Sequence, residues 1–111
     1  MKTIDCYALI EKLNGNHASF RLLNALELSP VRMQQIPNSL NILQDDEILE
    51  RLKKDDEIVV YCTDSSCNKS VVLYYKLEHL GYKNVARYAG GIIDWVGNGQ
   101  VLEEVNASSA A

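Results

Sequence analysis

The stretch "IVVYCTDSSCNKSVVLYYKLEHLGY", residues 58–82, constrains the fold more than any other part of the chain. It opens with consecutive apolar residues, largely β-branched, which is typical of a short strand buried on both faces. A polar loop follows. A helical pattern then begins at Ser70 and is closed by Gly81. A buried strand, a loop and a helix in this order predict a βαβ unit within a parallel sheet.

Strand and helix patterns alternate along the rest of the chain in the same way. We therefore expect an α/β fold, with a central, mainly parallel sheet flanked by helices on both faces. We predict one domain over residues 1–105 and a disordered tail over 106–111. The predicted elements are a helix from Asp5 to Leu13, a strand at 19–24, a loop with one helical turn after Pro30, a strand at 40–43, a helix from Asp45 to Lys53, a strand at 57–62, a helix at 70–80, a strand at 84–89 and a short helix within "IIDWVGNG".

Composition excludes several classes of function. The chain has 111 residues, 47% of them hydrophobic, which suits one core. The net charge is −4 and no stripe of Lys and Arg is present, so neither nucleic acid nor a membrane is expected as a partner. The N-terminal pattern carries acidic residues and does not read as a signal peptide. We therefore expect a cytoplasmic protein in which reduced thiols are the default, with Cys6 as a small buried residue.

Two further cysteines mark the loop between the buried strand and the helix. Ligands of parallel sheets bind at the carboxyl ends of strands, where Cys62 lies, and a helix N-terminus lowers the pKa of a nearby thiol. The loop thus predicts a nucleophilic thiolate among backbone amide donors. The other reading is that Cys62 is simply a buried strand residue. The candidate catalytic residues are Cys62 and Cys67, and the candidate substrate-binding residues are Thr63, Asp64, Ser65, Ser66, Asn68, Lys69 and Ser70.

Charge in this loop is sparse. Lys69 is the only cation between Lys54 and Lys76, so it is the loop side chain that attracts a negative substrate. Asp64 opposes it, because a carboxylate beside a thiolate raises the pKa of the thiol.

The motifs around the loop resemble the rhodanese-like sulfurtransferase domain. The resemblance rests on "IVVYC", on "S-x10-G-Y-K-N-V-x-R-Y-x-G-G-I-x-x-W", and on "FRLLNALELSPVRMQQIPNSLNI", and it spans about residues 3–99. It implies a five-stranded parallel sheet flanked by helices. It also implies that Cys62 is the catalytic cysteine, which takes a sulfane sulfur, forms a persulfide and passes the sulfur to a thiophilic acceptor.

The chain departs from the commonest pattern of that family at several positions. The span from Cys62 to Ser70 is two residues longer, and Lys69 stands where an arginine is common. Asn24 replaces a frequent aspartate, and Gln35 replaces a frequent histidine. We therefore expect weak turnover of thiosulfate, since little charge remains to hold a dianion. The spacing Y-C-x4-C-x2-S resembles a two-cysteine subgroup of the same family.

Three roles stay open for Cys67: a thiol that resolves a Cys62 persulfide, the sulfur-carrying nucleophile itself, or a passive loop residue. The functions that the sequence leaves open are a sulfurtransferase or persulfide carrier, a thiol–disulfide switch and a non-catalytic rhodanese-like interaction module. The first would use a small sulfur donor and a thiol acceptor, which includes protein thiols. A cysteine phosphatase or an arsenate reductase is disfavoured, because no arginine occurs between Arg51 and Arg87 to bind an oxyanion.

No cofactor and no metal are expected. Cys62 and Cys67 have no two further ligands nearby, and His17 and His79 belong to other segments.

Overall fold

The computed structural model describes residues 1–15, 20–25, 34–40, 45–63 and 68–104. In chain order the elements are β1 (Thr3–Ile4), α1 (Cys6–Asn14), β2 (Phe20–Asn24), β3 (Gln34–Gln35), β4 (Ser39–Leu40), α2 (Asp45–Arg51), β5 (Glu57–Tyr61), α3 (Lys69–His79), β6 (Val85–Tyr88), α4 (Gly91–Gly97) and β7 (Glu103–Glu104). The predicted α/β fold is confirmed, and no helix of the described segments is long and apolar enough to cross a membrane.

The main sheet has five strands in the order β1-β6-β5-β2-β4, and every neighbouring pair is parallel. The strand at the centre is β5, as the apolar run from Ile58 to Tyr61 predicts. A separate antiparallel pair joins β3 to β7. Because consecutive β5 side chains point to opposite faces, the strand feeds two cores. One core includes Val59 and Tyr61 and packs against α1 and α4, whereas the other includes Ile58 and Val60 and packs against α2 and α3.

Local signals explain where the flanking helices begin and end. Asp5 caps α1, because its Oδ1 accepts a hydrogen bond of 2.8 Å from the amide of Ala8. Helix α3 ends in a Schellman motif: Gly81 adopts φ +99°, and the amide of Tyr82 donates to the carbonyl of Leu77. The Tyr82 hydroxyl then donates to the carbonyls of Ile48, within α2, and Leu52, just after it. These bonds hold α2 and α3 on one face of the sheet.

Several expectations need correction. The helix predicted from Asp45 to Lys53 ends at Arg51, and Leu49 is exposed because only one narrow stripe of so short a helix meets the sheet. On α3, Tyr74 is buried, whereas Val72 and Tyr75 face outwards. The helical turn expected after Pro30 and the tail at 106–111 lie outside the described residues.

Candidate active site

Cys62 follows the last residue of β5, at the carboxyl end of the central strand. Its relative exposure is 1%, and its sulfur is in a disulfide, whereas Cys6 is a free, buried cysteine. The expectation of reduced thiols therefore fails for Cys62. That expectation came from the cellular compartment, which governs stable structural disulfides, whereas reversible disulfides at reactive cysteines obey local proximity.

Helix α4 holds the backbone of the loop on one side of Cys62. The amide of Ile92 donates to the Cys62 carbonyl at 3.1 Å, and the amide of Ile93 donates to the Thr63 carbonyl at 3.0 Å. These amides lie in the first turn of α4, where a helix has no internal partners for its N–H groups. The sequence prediction placed the amide donors at the start of α3 and missed this contribution from α4.

Gly91 makes that approach possible. Its φ is +67°, and a Cβ built there would lie 2.4 Å from the Cys62 carbonyl oxygen, well inside contact distance. Any side chain would push the loop away from α4, so glycine is required both for backbone conformation and for space.

A tyrosine–carboxylate pair fixes α4 against the sheet. The Tyr88 hydroxyl donates to Asp94 Oδ2 at 2.5 Å, and burial, together with the Asp94 carboxylate, raises the pKa of Tyr88. Trp95 is buried in the core, and its indole N–H donates to the Val101 carbonyl at 2.8 Å. Helix α4 is thereby held in place by both Asp94 and Trp95.

Tyr61 anchors the segment that runs along the same edge. Its hydroxyl accepts from the amide of Ile36 at 3.1 Å and lies 2.6 Å from the hydroxyl of Ser39. Burial raises the pKa of Tyr61 to about 12, although these hydrogen bonds oppose the shift. Asn24 pairs with Tyr61 in the register of β2 and β5, so it too lies at the carboxyl edge.

On the other side of Cys62, the start of α3 carries a buried polar contact. Ser70 is 1% exposed, and its Oγ accepts a hydrogen bond of 2.8 Å from Nε of Arg87, which is 8% exposed. Asn68 and Lys69, immediately before Ser70, are both exposed. An arginine from β6 therefore reaches the helix start that follows the loop.

The described residues bring together part of the predicted site. Thr63 lies against α4, and Ser70 lies against Arg87, whereas Lys69 points outwards at the first residue of α3. The positions of Asp64, Ser65, Ser66 and Cys67 lie outside the described residues. Within the described segments, no group of three or more His, Cys, Asp or Glu side chains could hold a metal ion.

Comparison with known proteins decides the family. The family model of the Rhodanese-like domain matches residues 16–98, which is most of the chain. The chain belongs to the rhodanese-like domain family. This confirms the resemblance found in the motifs around Cys62. The matched segment contains β2, β5, the loop, α3, β6 and α4, which together form the edge just described.

Solved rhodanese-like structures share the fold. The BH2092 protein of Bacillus halodurans is 21% identical with a TM-score of 0.83, over 93% of this chain and 77% of that chain. A rhodanese-related protein of Thermoplasma volcanium is 26% identical with a TM-score of 0.69, over 93% and 98% of the two chains. SseA of Escherichia coli, described as a 3-mercaptopyruvate sulfotransferase, is 15% identical with a TM-score of 0.74, over 92% of this chain and 50% of that one. No curated protein matches the chain.

Two residues of the site escaped prediction from the sequence. Arg87 was counted only as lying outside the loop, and Gly91 only as part of a turn. The alternation of β6 could have placed Arg87 on the α3 face, but the pairing of β6 beside β5 is not encoded locally. The contact between Gly91 and the Cys62 carbonyl likewise depends on how two separate loops meet.

Proposed function

We propose that the protein is a sulfurtransferase or persulfide carrier that moves sulfane sulfur through Cys62 to a thiophilic acceptor. The observation that carries the proposal is the position of Cys62 in a rhodanese-like fold. It lies at the carboxyl end of the central strand, with its backbone fixed by the first turn of α4. Reactive groups of parallel sheets lie at this edge.

The first half of the reaction needs the reduced thiol. A dithiol converts the Cys62 disulfide into free thiols and is itself oxidised to a disulfide. The Cys62 thiolate then attacks the outer sulfur of a donor. With a persulfide R–S–SH, the new bond is Cys62 S–S, the S–S bond of the donor breaks, and R–SH leaves with the proton balance unchanged.

The second half returns the enzyme to its starting state. A thiophilic acceptor, such as a thiolate or cyanide, attacks the outer sulfur of the persulfide, and Cys62 leaves as a thiolate. Thiosulfate would follow the same course with sulfite as the leaving group. We expect it to be the weaker donor, because the described part of the loop offers only Lys69 for direct contact with a dianion.

The disulfide at Cys62 favours a second candidate, a thiol–disulfide switch. Such a switch would use Cys62 and Cys67, the two cysteines that the sequence places on either end of the loop. In this function, oxidation removes two hydrogens from the pair and reduction restores them, without any gain of sulfur. The same bond also fits a sulfur carrier, in which Cys67 resolves the persulfide and releases the sulfur.

Intact mass separates these functions. Reduced protein, freed of reductant, is incubated with thiosulfate and separately with a small-molecule persulfide. A carrier gains the mass of one sulfur atom, whereas a switch only loses two hydrogens. Cys62→Ser should abolish the gain, and Cys67→Ser should keep it but change its lifetime. Labelling lost only in Cys67→Ser would move the nucleophile to Cys67. Full labelling of both single variants, or no labelling at all, would favour the interaction module.

A further inference from the structure

Arg87 is a charged residue in a place where charge is costly. It lies on β6, beside the central strand, and only 8% of its surface is exposed. Removing a charge from water costs several kcal/mol in general, and a buried pair is often less stable than apolar residues of the same volume. A buried arginine is therefore weak evidence for added stability, which prompts a search for a functional role.

The register of the sheet shows where Arg87 points. Arg87 pairs with Val60 across β5 and β6, and Val60 and Val85 belong to the core on the α2 and α3 face. Arg87 follows Val85 by two residues, so it faces α3 as well. Cys62 follows Val60 by two residues, and we infer from the same alternation that its side chain lies on this face. Adjacent strands are about 4.8 Å apart and two residues span about 6.6 Å, so a guanidinium group reaches the surroundings of the Cys62 sulfur.

The contact with Ser70 orients the guanidinium group of Arg87. Nε of Arg87 donates to Ser70 Oγ at 2.8 Å, at the second residue of α3. A hydroxyl that accepts from a cation turns its own hydrogen away from that cation and becomes a better donor. The first turn of α3 also presents the positive end of the helix dipole. The charge of Arg87, the hydroxyl of Ser70 and the positive end of the α3 dipole thus lie together at the helix start that follows the loop.

We propose that Arg87 is a positioning residue that supplies the positive potential of the sulfur site, acting on Cys62 through Ser70 and the start of α3. The proposal rests on the proposed function at Cys62. Arg87 supplies from β6 the positive charge that an arginine in the loop would otherwise supply. It stabilises the thiolate and persulfide anions that form on Cys62, whereas direct binding of a dianionic donor needs an exposed guanidinium group. Lys69 is exposed to solvent, which screens its charge.

Selectivity of alkylation measures this potential without any sulfur transfer. Reduced protein in a Cys67→Ser background is treated with iodoacetate, an anion, and with iodoacetamide, its neutral analogue, and modification of Cys62 is followed by peptide mass. The ratio of the two rates cancels the thiolate fraction and the accessibility of the thiol. It therefore reports the local potential, which a purely structural role of Arg87 would leave unchanged.

We expect Arg87→Gln to lower the iodoacetate-to-iodoacetamide ratio by roughly five- to tenfold, since tenfold corresponds to about 1.4 kcal/mol of interaction. Arg87→Lys should keep most of the ratio, because it retains the charge. Lys83→Gln, which removes an exposed charge just before β6, is the control for net charge. Asp64→Asn should raise the ratio, since Asp64 carries the negative charge of the loop.

A ratio unchanged in Arg87→Gln would overturn the proposal, as would equal losses in Arg87→Gln and Lys83→Gln. If Arg87→Gln unfolds, Ser70→Ala decides the matter, because Arg87→Lys keeps the charge whichever role Arg87 has. An unchanged ratio in Ser70→Ala, with lowered thermal stability, assigns Arg87 a structural role only. Failure of the proposed sulfur transfer is seen separately, as the absence of a mass gain in the Cys67→Ser variant, in which no second loop thiol can release the sulfur.

Discussion

The two sides of Cys62 are built by different means. On the α4 side, amides of Ile92 and Ile93 hold the backbone carbonyls of the loop, and Gly91 allows the close approach. On the α3 side, a buried guanidinium group meets a buried hydroxyl, Arg87 to Ser70. The first side depends on shape and tolerates no added atom, whereas the second depends on charge. We therefore expect the position of the Cys62 sulfur and its reactivity to be separable properties.

The largest effect should come from Gly91→Ala, which disrupts the packing of α4 against the backbone of Cys62. The added methyl would meet the Cys62 carbonyl oxygen, and a positive φ disfavours alanine. We expect a loss of about 2–5 kcal/mol in the free energy of unfolding, from the left-handed backbone and overpacking together, measured by urea denaturation. Sulfur loading should fall with it.

Gly97→Ala is the matched control for that change, because a Cβ there would have no heavy atom within 4 Å. It lies at the end of the same helix, and its effect should stay within about 1 kcal/mol. Because alanine favours a helix more than glycine does, propensity alone would not destabilise either variant. Equal destabilisation by both substitutions would therefore show that the loss does not come from the close approach of Gly91 to the Cys62 carbonyl.

Alkaline pH should also lower the stability of the fold. The pKa of Tyr61 is raised to about 12 from 10.0 by burial. Both states keep the proton below pH 10. Between pH 10 and about 12 only the unfolded state loses it, so stability falls as pH rises, by about 3 kcal/mol in total. Tyr88, whose pKa is also raised, adds a loss of the same sign.

Denaturant titrations at several pH values would measure this slope. Tyr61→Phe should flatten it, and Tyr7→Phe, at an exposed position on α1, should not. An unchanged slope in Tyr61→Phe would mean that the hydroxyl of Tyr61 does not govern alkaline stability.

A smaller effect is expected at the opposite edge of the sheet. Lys12 Nζ lies 2.9 Å from Glu57 Oε2 in a partly exposed ion pair. Lys12→Met should cost no more than about 1 kcal/mol of stability and should leave the alkylation of Cys62 unchanged. Altered reactivity of Cys62 in this variant would contradict the confinement of the charge effect to the carboxyl edge.

The smallest effect should come from Lys69→Gln. Its charge is exposed, so we expect the iodoacetate-to-iodoacetamide ratio at Cys62 to change by less than about twofold. A larger change here than in Arg87→Gln would place the governing charge in the loop, as the sequence first suggested.

The sequence predicted the frame of the site because the signals are local. The apolar run before Cys62 marks the central strand, Asp5 marks the start of α1, and Gly81 marks the end of α3. Each depends on neighbouring residues only. The two-residue strands β1, β3 and β7 escaped prediction, because two residues cannot display a period.

The contacts between residues of the site were harder to predict than the strands and helices that carry them. Arg87 reaches Ser70 only because β6 pairs with β5, and Gly91 meets Cys62 only because two loops converge. Such contacts depend on the register and topology of the whole sheet. The sequence therefore pointed to Cys62, Ser70 and Lys69 in the loop region, whereas the buried contact of Arg87 with Ser70 became visible only in the structure.

The central claim is that Cys62 carries the sulfur, and peptide mapping of the loaded protein tests it most directly. Reduced wild-type protein is treated with a small-molecule persulfide, alkylated and digested with trypsin. Cleavage after Lys54 and Lys69 leaves both loop cysteines in one peptide, whose fragment ions distinguish them. The account predicts the additional sulfur on Cys62, and its removal when cyanide is added before alkylation. Additional sulfur on Cys67 alone would contradict it, and so would the absence of sulfur from Cys62 in both the wild-type protein and the Cys67→Ser variant.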